Sequence, residues 1–168
     1  MDWQRHVSSA FGMDDATWKR HANPWSFWTR IAGLVLLVVA IWSRVWLGSG
    51  AWLPVIAATI WLWFNPRAFP PPPSTENWAS KAVLGERVWI NRGSIPIPAH
   101  HARMALLLSA VSLVGMICLA WGLYALAIWP TLLGMALIML GKLWLVDRMV
   151  WLYEDMKNAS PEYRSWLY

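Results

Sequence analysis

Two long apolar stretches dominate the chain, and polar segments precede, separate and follow them. The first stretch covers residues 31–64 and is broken by Arg44 and by the turn sequence at 48–50. The second stretch, residues 104–141, has 38 residues and no charged side chain. A helix that crosses the hydrocarbon core of a membrane needs about 20 apolar residues at a rise of about 1.5 Å each. Each stretch is therefore long enough to form a helical hairpin.

The first hairpin has one clear and one ambiguous helix. Residues 26–47 supply one crossing, Gly48-Ser49-Gly50 is a turn signal, and residues 51–64 return. The returning segment has only 14 residues and contains Pro54. Two interpretations stay open for it: a full crossing through a locally thinned bilayer, or a re-entrant segment.

The second hairpin has helices near 104–124 and 128–157, with its turn around Pro130. Between the hairpins, Thr75 is the predicted cap of a short helix from about Glu76 to Trp89. The pattern predicts an all-α, polytopic membrane protein with two transmembrane helical hairpins, four helices in all. The predicted single domain, residues 1–168, divides into a cytoplasmic N-segment (1–26), hairpin 1 (27–64), a cytoplasmic loop (65–103), hairpin 2 (104–146) and a cytoplasmic C-segment (147–168).

The distribution of charge predicts the orientation of these helices. Neither hairpin tip, residues 47–50 or 122–130, contains Lys or Arg, whereas 13 of the 14 cations fall on the opposite side. Arg44 is the exception. Because positively charged loops stay in the cytoplasm, we expect both termini on the cytoplasmic side of the cell (inner or plasma) membrane.

Composition supports a lipid environment. Charged residues make up 14% of the chain and hydrophobic residues 58%, whereas soluble domains carry about 25% charged residues. The formal net charge of +5 fits anionic lipid headgroups as a partner. Nucleic-acid binding is not expected, since no Lys- and Arg-rich run is interleaved with aromatic residues. The predicted inner and outer interfaces also contain eleven of the 16 tryptophans, namely Trp25, Trp28, Trp61, Trp63, Trp144 and Trp151 inside and Trp42, Trp46, Trp52, Trp121 and Trp129 outside.

Candidate chemistry begins at the end of the last helix, where one stripe carries three carboxylates and a guanidinium between two indoles. Its members follow helical steps of three and four residues. Facing the bundle, the stripe needs charged partners from other segments and could act in catalysis. Facing the interface, it needs only pairs within the helix, such as Arg148 with Asp155. The stripe is Trp144, Asp147, Arg148, Trp151, Glu154 and Asp155.

Three histidines approach the same interface and suggest a divalent metal site. His100 and His101 precede the third long helix, and His21 precedes the first. Together with Asp147, Glu154 or Asp155 they offer nitrogen and oxygen ligands. The competing interpretation is of ordinary polar residues at an interface, because no HxxxH, HExxH or CxxC spacing is present.

Arginines near Asn-Pro sequences suggest an anion site. Asn23-Pro24 precedes the first long helix and Asn65-Pro66-Arg67 follows the second, which also suits structural capping. Arginine side chains bind phosphate or carboxylate groups with two parallel hydrogen bonds. An anionic lipid headgroup is the expected ligand, and the arginines that could converge on it are Arg30, Arg67, Arg87, Arg103 and Arg148.

Three hypotheses for function follow. The first is an enzyme or ligand-binding protein with its site at the cytoplasmic membrane interface, acting on an anionic or lipid-like substrate. The second is a non-catalytic scaffold or subunit that docks a membrane or cytoplasmic protein, and the third is a component of an oligomeric transporter. In the first, the catalytic candidates Asp147, Arg148, Glu154 and Asp155 face Arg67, Glu86, Arg87 and His21 from the other segments. The ligand-binding candidates are Arg30, Arg67, Glu86, Arg87, Trp151, Asn23 and Asn65.

Four stretches also resemble a domain-of-unknown-function family of small bacterial and archaeal membrane proteins, over about residues 15–157. The resemblance implies a membrane protein and implies no activity or catalytic residue. The stretches are HANPWSFWTR at 21–30, FNPRAFPPP at 64–72, NWASKAVLGERVW at 77–89 and DRMVWLYEDM at 147–156.

Overall fold

The computed structural model describes residues 14–168, and this part of the chain contains helices and turns but no strand. The prediction of an all-α protein is therefore confirmed. Two short 3-10 turns, Gly48–Ala51 and Asn91–Gly93, interrupt the helical series. The helices are α1 (Asp15–His21), α2 (Pro24–Trp42), α3 (Arg44–Leu47), α4 (Trp52–Ala68), α5 (Trp78–Ile90), α6 (Ala99–Ala125), α7 (Ile128–Met156) and α8 (Pro161–Ser165).

Three helical stretches in the described residues are long and apolar enough to cross a membrane: Pro24–Ala68, Ala99–Ala125 and Ile128–Met156. The first of them contains α2, α3 and α4, so the number of crossings that it makes stays a prediction. Large apolar side chains project outward from all three, for example Leu53 (76% exposed) and Leu106 (73% exposed). An apolar surface of this extent is unfavourable in water and is compatible with a membrane protein.

The α2 and α4 helices lie side by side in opposite directions. Ser26, in the first turn of α2, donates a hydrogen bond of 2.9 Å to the side chain of Asn65, near the end of α4. Asn23 caps α2 as predicted, because its side chain accepts from the backbone N–H of Trp25 at 2.9 Å. The prediction that Asn65 and the following proline lie beyond the helix was wrong, since α4 continues to Ala68.

The long pair α6 and α7 meets at a left-handed residue, Leu126, with φ 53°. The predicted turn residue Pro130 lies instead in the first turn of α7, where a missing N–H removes no intrahelical bond. Small residues allow the two backbones to approach closely. A Cβ on Gly115 of α6 would lie 2.8 Å from the backbone nitrogen of Ile138 in α7.

The short helix α5 is capped by Asn77 rather than by Thr75, which corrects the sequence prediction. The Asn77 side chain accepts from the backbone N–H of Ser80 at 2.9 Å. Thr75 is instead buried against the C-terminal residues, where its hydroxyl donates to the carbonyl oxygen of Trp166 at 2.8 Å. Local sequence could not distinguish these two caps, because the partner of Thr75 lies 91 residues away.

The helices α1, α5 and α8 pack together with the start of α2, the end of α4, the start of α6 and the end of α7. We call this assembly the polar end. Its apolar core includes Val88, Leu152, Tyr153 and Tyr163, all fully buried. The hydroxyl of Tyr153 donates to the carbonyl oxygen of Tyr163 at 2.9 Å, which joins α8 to α7. This core fixes the helices that carry the candidate functional residues.

Candidate functional site

The carboxylates of the predicted stripe on α7 bind donors from other helices. Asp147 accepts from the indole N–H of Trp78 in α5 at 3.1 Å and from the neighbouring Arg148 at 2.9 Å. Glu154 accepts from Lys81 of α5 and from Lys157, both at 2.6 Å. These bonds tie α5 to α7, and they occupy the two carboxylates that sequence reasoning placed in catalysis.

Arg148 pairs within α7, as the interfacial interpretation expects, but with a different partner. It pairs with Asp147 rather than with Asp155, and its guanidinium lies 5.4 Å from the centre of the Trp151 ring. Within the described residues, its buried Nε atom has no hydrogen-bond partner. Arg148 and Trp151 therefore form a local pair on the surface of α7, since Trp151 is 55% exposed.

His21 lies at the centre of a second group, at the junction of α1, α2 and α5. Its side chain is buried, and Nη1 of Arg30 lies 2.7 Å from Nε2 and 2.9 Å from Nδ1. On the other side, a carboxylate oxygen of Glu86 lies 4.0 Å from Nε2. We call His21, Arg30, Glu86 and the nearby Lys142 of α7 the His21 cluster.

Burial and two neighbouring cations disfavour the charged form of the His21 imidazole. Burial lowers its pKa well below the ordinary value, and repulsion from Arg30 and Lys142 lowers the pKa further. A neutral ring has a lone pair that can accept a hydrogen bond from the guanidinium. The His21 cluster therefore holds two cations and one carboxylate around a neutral acceptor, which leaves it net positive.

Buried amides support this cluster. Asn65 is fully buried, accepts from Ser26 and donates to the hydroxyl of Thr29 at 2.8 Å. Asn23 is also buried, and its amide donates to the carbonyl oxygen of Pro70 at 3.0 Å. Both asparagines, which the sequence offered as ligand-binding candidates, position the start of α2 and so the side chain of Arg30.

The three metal-ligand candidates separate into two places. Nε2 of His101 lies 2.8 Å from a carboxylate oxygen of Asp155, and Nε2 of His100 lies 4.0 Å from the same oxygen. One ligand atom from each of these residues lies within 4.8 Å of the others. His21 is not part of this group, because it contacts Arg30 and Glu86. The structure therefore brings together His100, His101 and Asp155 as a nitrogen and oxygen donor set.

The remaining arginines do not converge with Arg30. Arg87 of α5 forms an ion pair with Asp15 and lies 4.1 Å from the centre of the Trp166 ring. It lines a cavity of about 300 Å³ between α1, α5 and α8. Arg67 lies over the ring of Trp63 at 5.1 Å, and Arg103 is exposed. The predicted arginine cluster is thus dispersed among separate aromatic and acidic partners.

Sequence reasoning missed several residues at the polar end. Lys81 and Trp78 bind the α7 stripe, and Lys142 contributes to the charge around His21. A usable signal existed for Lys81, since it lies one helical turn after Asn77 on a helix that sequence already predicted. For Lys142 no local signal existed, because its effect on His21 depends on how α7 packs.

Comparison with known proteins adds one result on membership. Residues 3–166 match the model of a family of unknown function (DUF6653). No curated protein matches the chain, and no solved structure matches it.

Proposed function

The chain belongs to this family of unknown function, and we propose that it is a multi-pass membrane protein that binds an anionic lipid headgroup at its polar end. The observation that carries the proposal is the contact between Arg30 and a buried, neutral His21 at 2.7 Å. A guanidinium held by a neutral acceptor retains its full positive charge and its remaining donors for an external anion.

The position of Arg30 suits a headgroup. It lies in the second turn of α2, where the apolar run of that helix begins. The level of phosphate groups in a bilayer falls at such a transition from apolar to polar residues. In the described part of the chain, the hydrogen bonds of Arg30 run from Nη1 to His21, and the N–H groups on Nε and Nη2 support binding of a phosphate.

Charge balance favours an anion over a neutral ligand. Arg30 and Lys142 bring two positive charges to the His21 cluster, and Glu86 brings one negative charge. Phosphatidylglycerol has one net negative charge and would bring the cluster to neutrality, whereas the phosphate of phosphatidylcholine is already balanced by its own quaternary ammonium group. A neutral headgroup would leave the excess charge partly desolvated, which is unfavourable near lipid.

We further propose that the chain crosses the cell membrane four times with both termini in the cytoplasm. The hydrogen bond from Ser26 to Asn65 supports a hairpin of α2 and α4, since it joins the start of one helix to the end of the other. Helix α4 has 17 residues and spans about 25 Å, close to the thickness of the hydrocarbon core. Arg44, the cation outside the predicted cytoplasmic side, donates to the carbonyl oxygens of Leu123 and Tyr124. It therefore serves as a cap for the last carbonyls of α6.

Catalysis by Asp147, Arg148, Glu154 and Asp155 stays a prediction. The bonds of Asp147 to Trp78 and of Glu154 to Lys81 favour a structural role for these two carboxylates. The scaffold and transporter hypotheses also stay predictions, and the His21 cluster favours neither of them.

The test compares lipid binding by charge-matched variants. Purified protein is equilibrated in detergent with phosphatidylglycerol or phosphatidylcholine, and bound lipid is counted by native mass spectrometry. We expect the wild type to retain phosphatidylglycerol preferentially and Arg30→Gln to lose that preference. Arg20→Gln is the control, because it removes the same charge from an exposed position on α1.

Three results would contradict the proposal. One is equal retention of both lipids by the wild type. Another is an unchanged preference in Arg30→Gln when circular dichroism shows that the variant is folded. The third is an equal loss in Arg30→Gln and Arg20→Gln, which would mean that general surface charge, rather than the His21 cluster, attracts the lipid.

A further inference from the structure

We propose that His100, His101 and Asp155 bind a divalent transition-metal ion such as Zn²⁺. The two histidines lie in the first turn of α6, and the aspartate lies in the last turn of α7. The proposed site is separate from the His21 cluster, so it does not depend on lipid binding. An ion here would join the two long helices at the polar end.

The distances fit a metal ion with little rearrangement. Zn²⁺ binds imidazole nitrogen and carboxylate oxygen at about 2.0–2.2 Å, which places neighbouring ligand atoms of a tetrahedral site about 3.3–3.6 Å apart. The two Nε2 atoms lie 2.8 Å and 4.0 Å from the same oxygen of Asp155. Both values lie within about 0.7 Å of that separation. The side chain of His100 is 71% exposed, so a small rotation can bring its Nε2 atom to the separation that a shared metal ion requires.

The position of His100 is the feature that a simple hydrogen bond does not explain. His101 is buried (3% exposed) and already binds Asp155. His100 nevertheless lies with its ring centre 4.1 Å from that of His101 and faces the same carboxylate. The other two stripe carboxylates bind cationic side chains or an indole N–H. Asp155 alone among the three is approached by two imidazoles, which are ligands for Zn²⁺ and related ions.

Burial and charge favour an open site rather than a closed one. His101 is held in place by its surroundings, while His100 and Asp155 (48% exposed) face outward. Three protein ligands with an exposed side leave at least one position for water or another ligand. The C-terminal end of α7 favours a cation and the N-terminal end of α6 opposes it, so these two effects offset each other and the ligands decide the affinity.

The test uses protein without a polyhistidine tag, treated with a chelator and dialysed in detergent. Zn²⁺ binding is measured by titration calorimetry, with the bound metal counted by elemental analysis. We expect one Zn²⁺ per chain and a visible absorption spectrum when Co²⁺ replaces it. Loss of an outer-shell partner weakens metal binding about 10–100-fold, so loss of the direct ligand in His100→Ala should weaken it at least about tenfold.

Two further variants make the result decisive. Asp155→Asn should weaken Zn²⁺ binding as His100→Ala does, whereas Glu76→Gln, which changes another exposed carboxylate, should bind as the wild type does. Because His100 is exposed, the metal-free His100→Ala protein should melt at the wild-type temperature, and it should gain less stability than the wild type from the same concentration of Zn²⁺. A wild type that takes up no Zn²⁺, or a folded His100→Ala protein that binds it equally well, would overturn the proposal.

Discussion

Gly85 of α5 lies directly against the backbone carbonyl group of Met149 in α7. A Cβ at position 85 would overlap the carbonyl oxygen and would lie 2.9 Å from the Cα of Met149. This contact places α5 backbone to backbone on α7. It thereby brings Trp78 and Lys81 to the α7 stripe and Glu86 to the His21 cluster.

Gly85→Ala should therefore destabilise the polar end. The added methyl group has no space, so α5 must move away from α7, and overpacking of this kind costs about 1–3 kcal/mol or more. The melting temperature in detergent should fall. The control is Gly50→Ala, where the nearest atom to the new methyl group, the Cβ of Leu47, is 3.7 Å away. Equal melting temperatures for the two variants would show that α5 does not pack on α7 as described.

His21 should make stability depend on pH. Its pKa in the folded protein is lowered by burial, so the unfolded chain binds a proton that the folded chain does not. The ionisation of His21 does not affect stability above the unfolded pKa of about 6.5. Stability falls as the pH drops below that value, because protonation then favours the unfolded chain. The wild type should therefore lose more stability between about pH 7.5 and about pH 5 than His21→Gln does. Parallel losses in the two proteins would contradict a buried, neutral His21.

The hydroxyl of Tyr153 should contribute measurably to the stability of the polar end. It donates to the carbonyl oxygen of Tyr163, and both residues are fully buried. Tyr153→Phe leaves that oxygen with only the longer bond, of 3.4 Å, from the backbone N–H of Trp166, and the loss of the hydroxyl bond should cost about 0.5–1.5 kcal/mol. Tyr124→Phe removes the same atom from a residue that is 79% exposed, and it should have little effect on the melting temperature. If both variants melt alike, α8 is not anchored through this bond.

The sequence predicts the long helices well because their apolar runs are much longer than a turn or a loop. Helix α6 was expected near 104–124 and is observed at Ala99–Ala125. The errors occur where distant partners decide the local structure. Asn65 remains inside α4 while it is hydrogen-bonded to Ser26, and Thr75 leaves its predicted cap for the C-terminal residues.

For the candidate site, too, local sequence predicted the positions of residues along a helix but not their distant partners. Helical spacing placed Asp147 and Glu154 on one face of α7, but it could not show which residues of α5 would bind them. Likewise, sequence grouped His21 with His100 because both approach one interface. Packing separates them, since burial of His21 between α1, α2 and α5 gives it Arg30 as its partner. Spacing along a helix indicates a face, whereas the partner depends on the tertiary arrangement.

The proposed lipid-binding site requires that the polar end lies at the cytoplasmic face of a membrane. The chain has a single cysteine, Cys118, so Cys118→Ala provides a background for single-cysteine labelling. Ser49→Cys at one hairpin tip and Ala159→Cys at the polar end are both exposed positions. With a membrane-impermeant maleimide on intact cells, we expect Ser49→Cys to be labelled and Ala159→Cys to be labelled only after permeabilisation. Labelling of Ala159→Cys in intact cells, or recovery of the protein in the soluble fraction without detergent, would contradict the account.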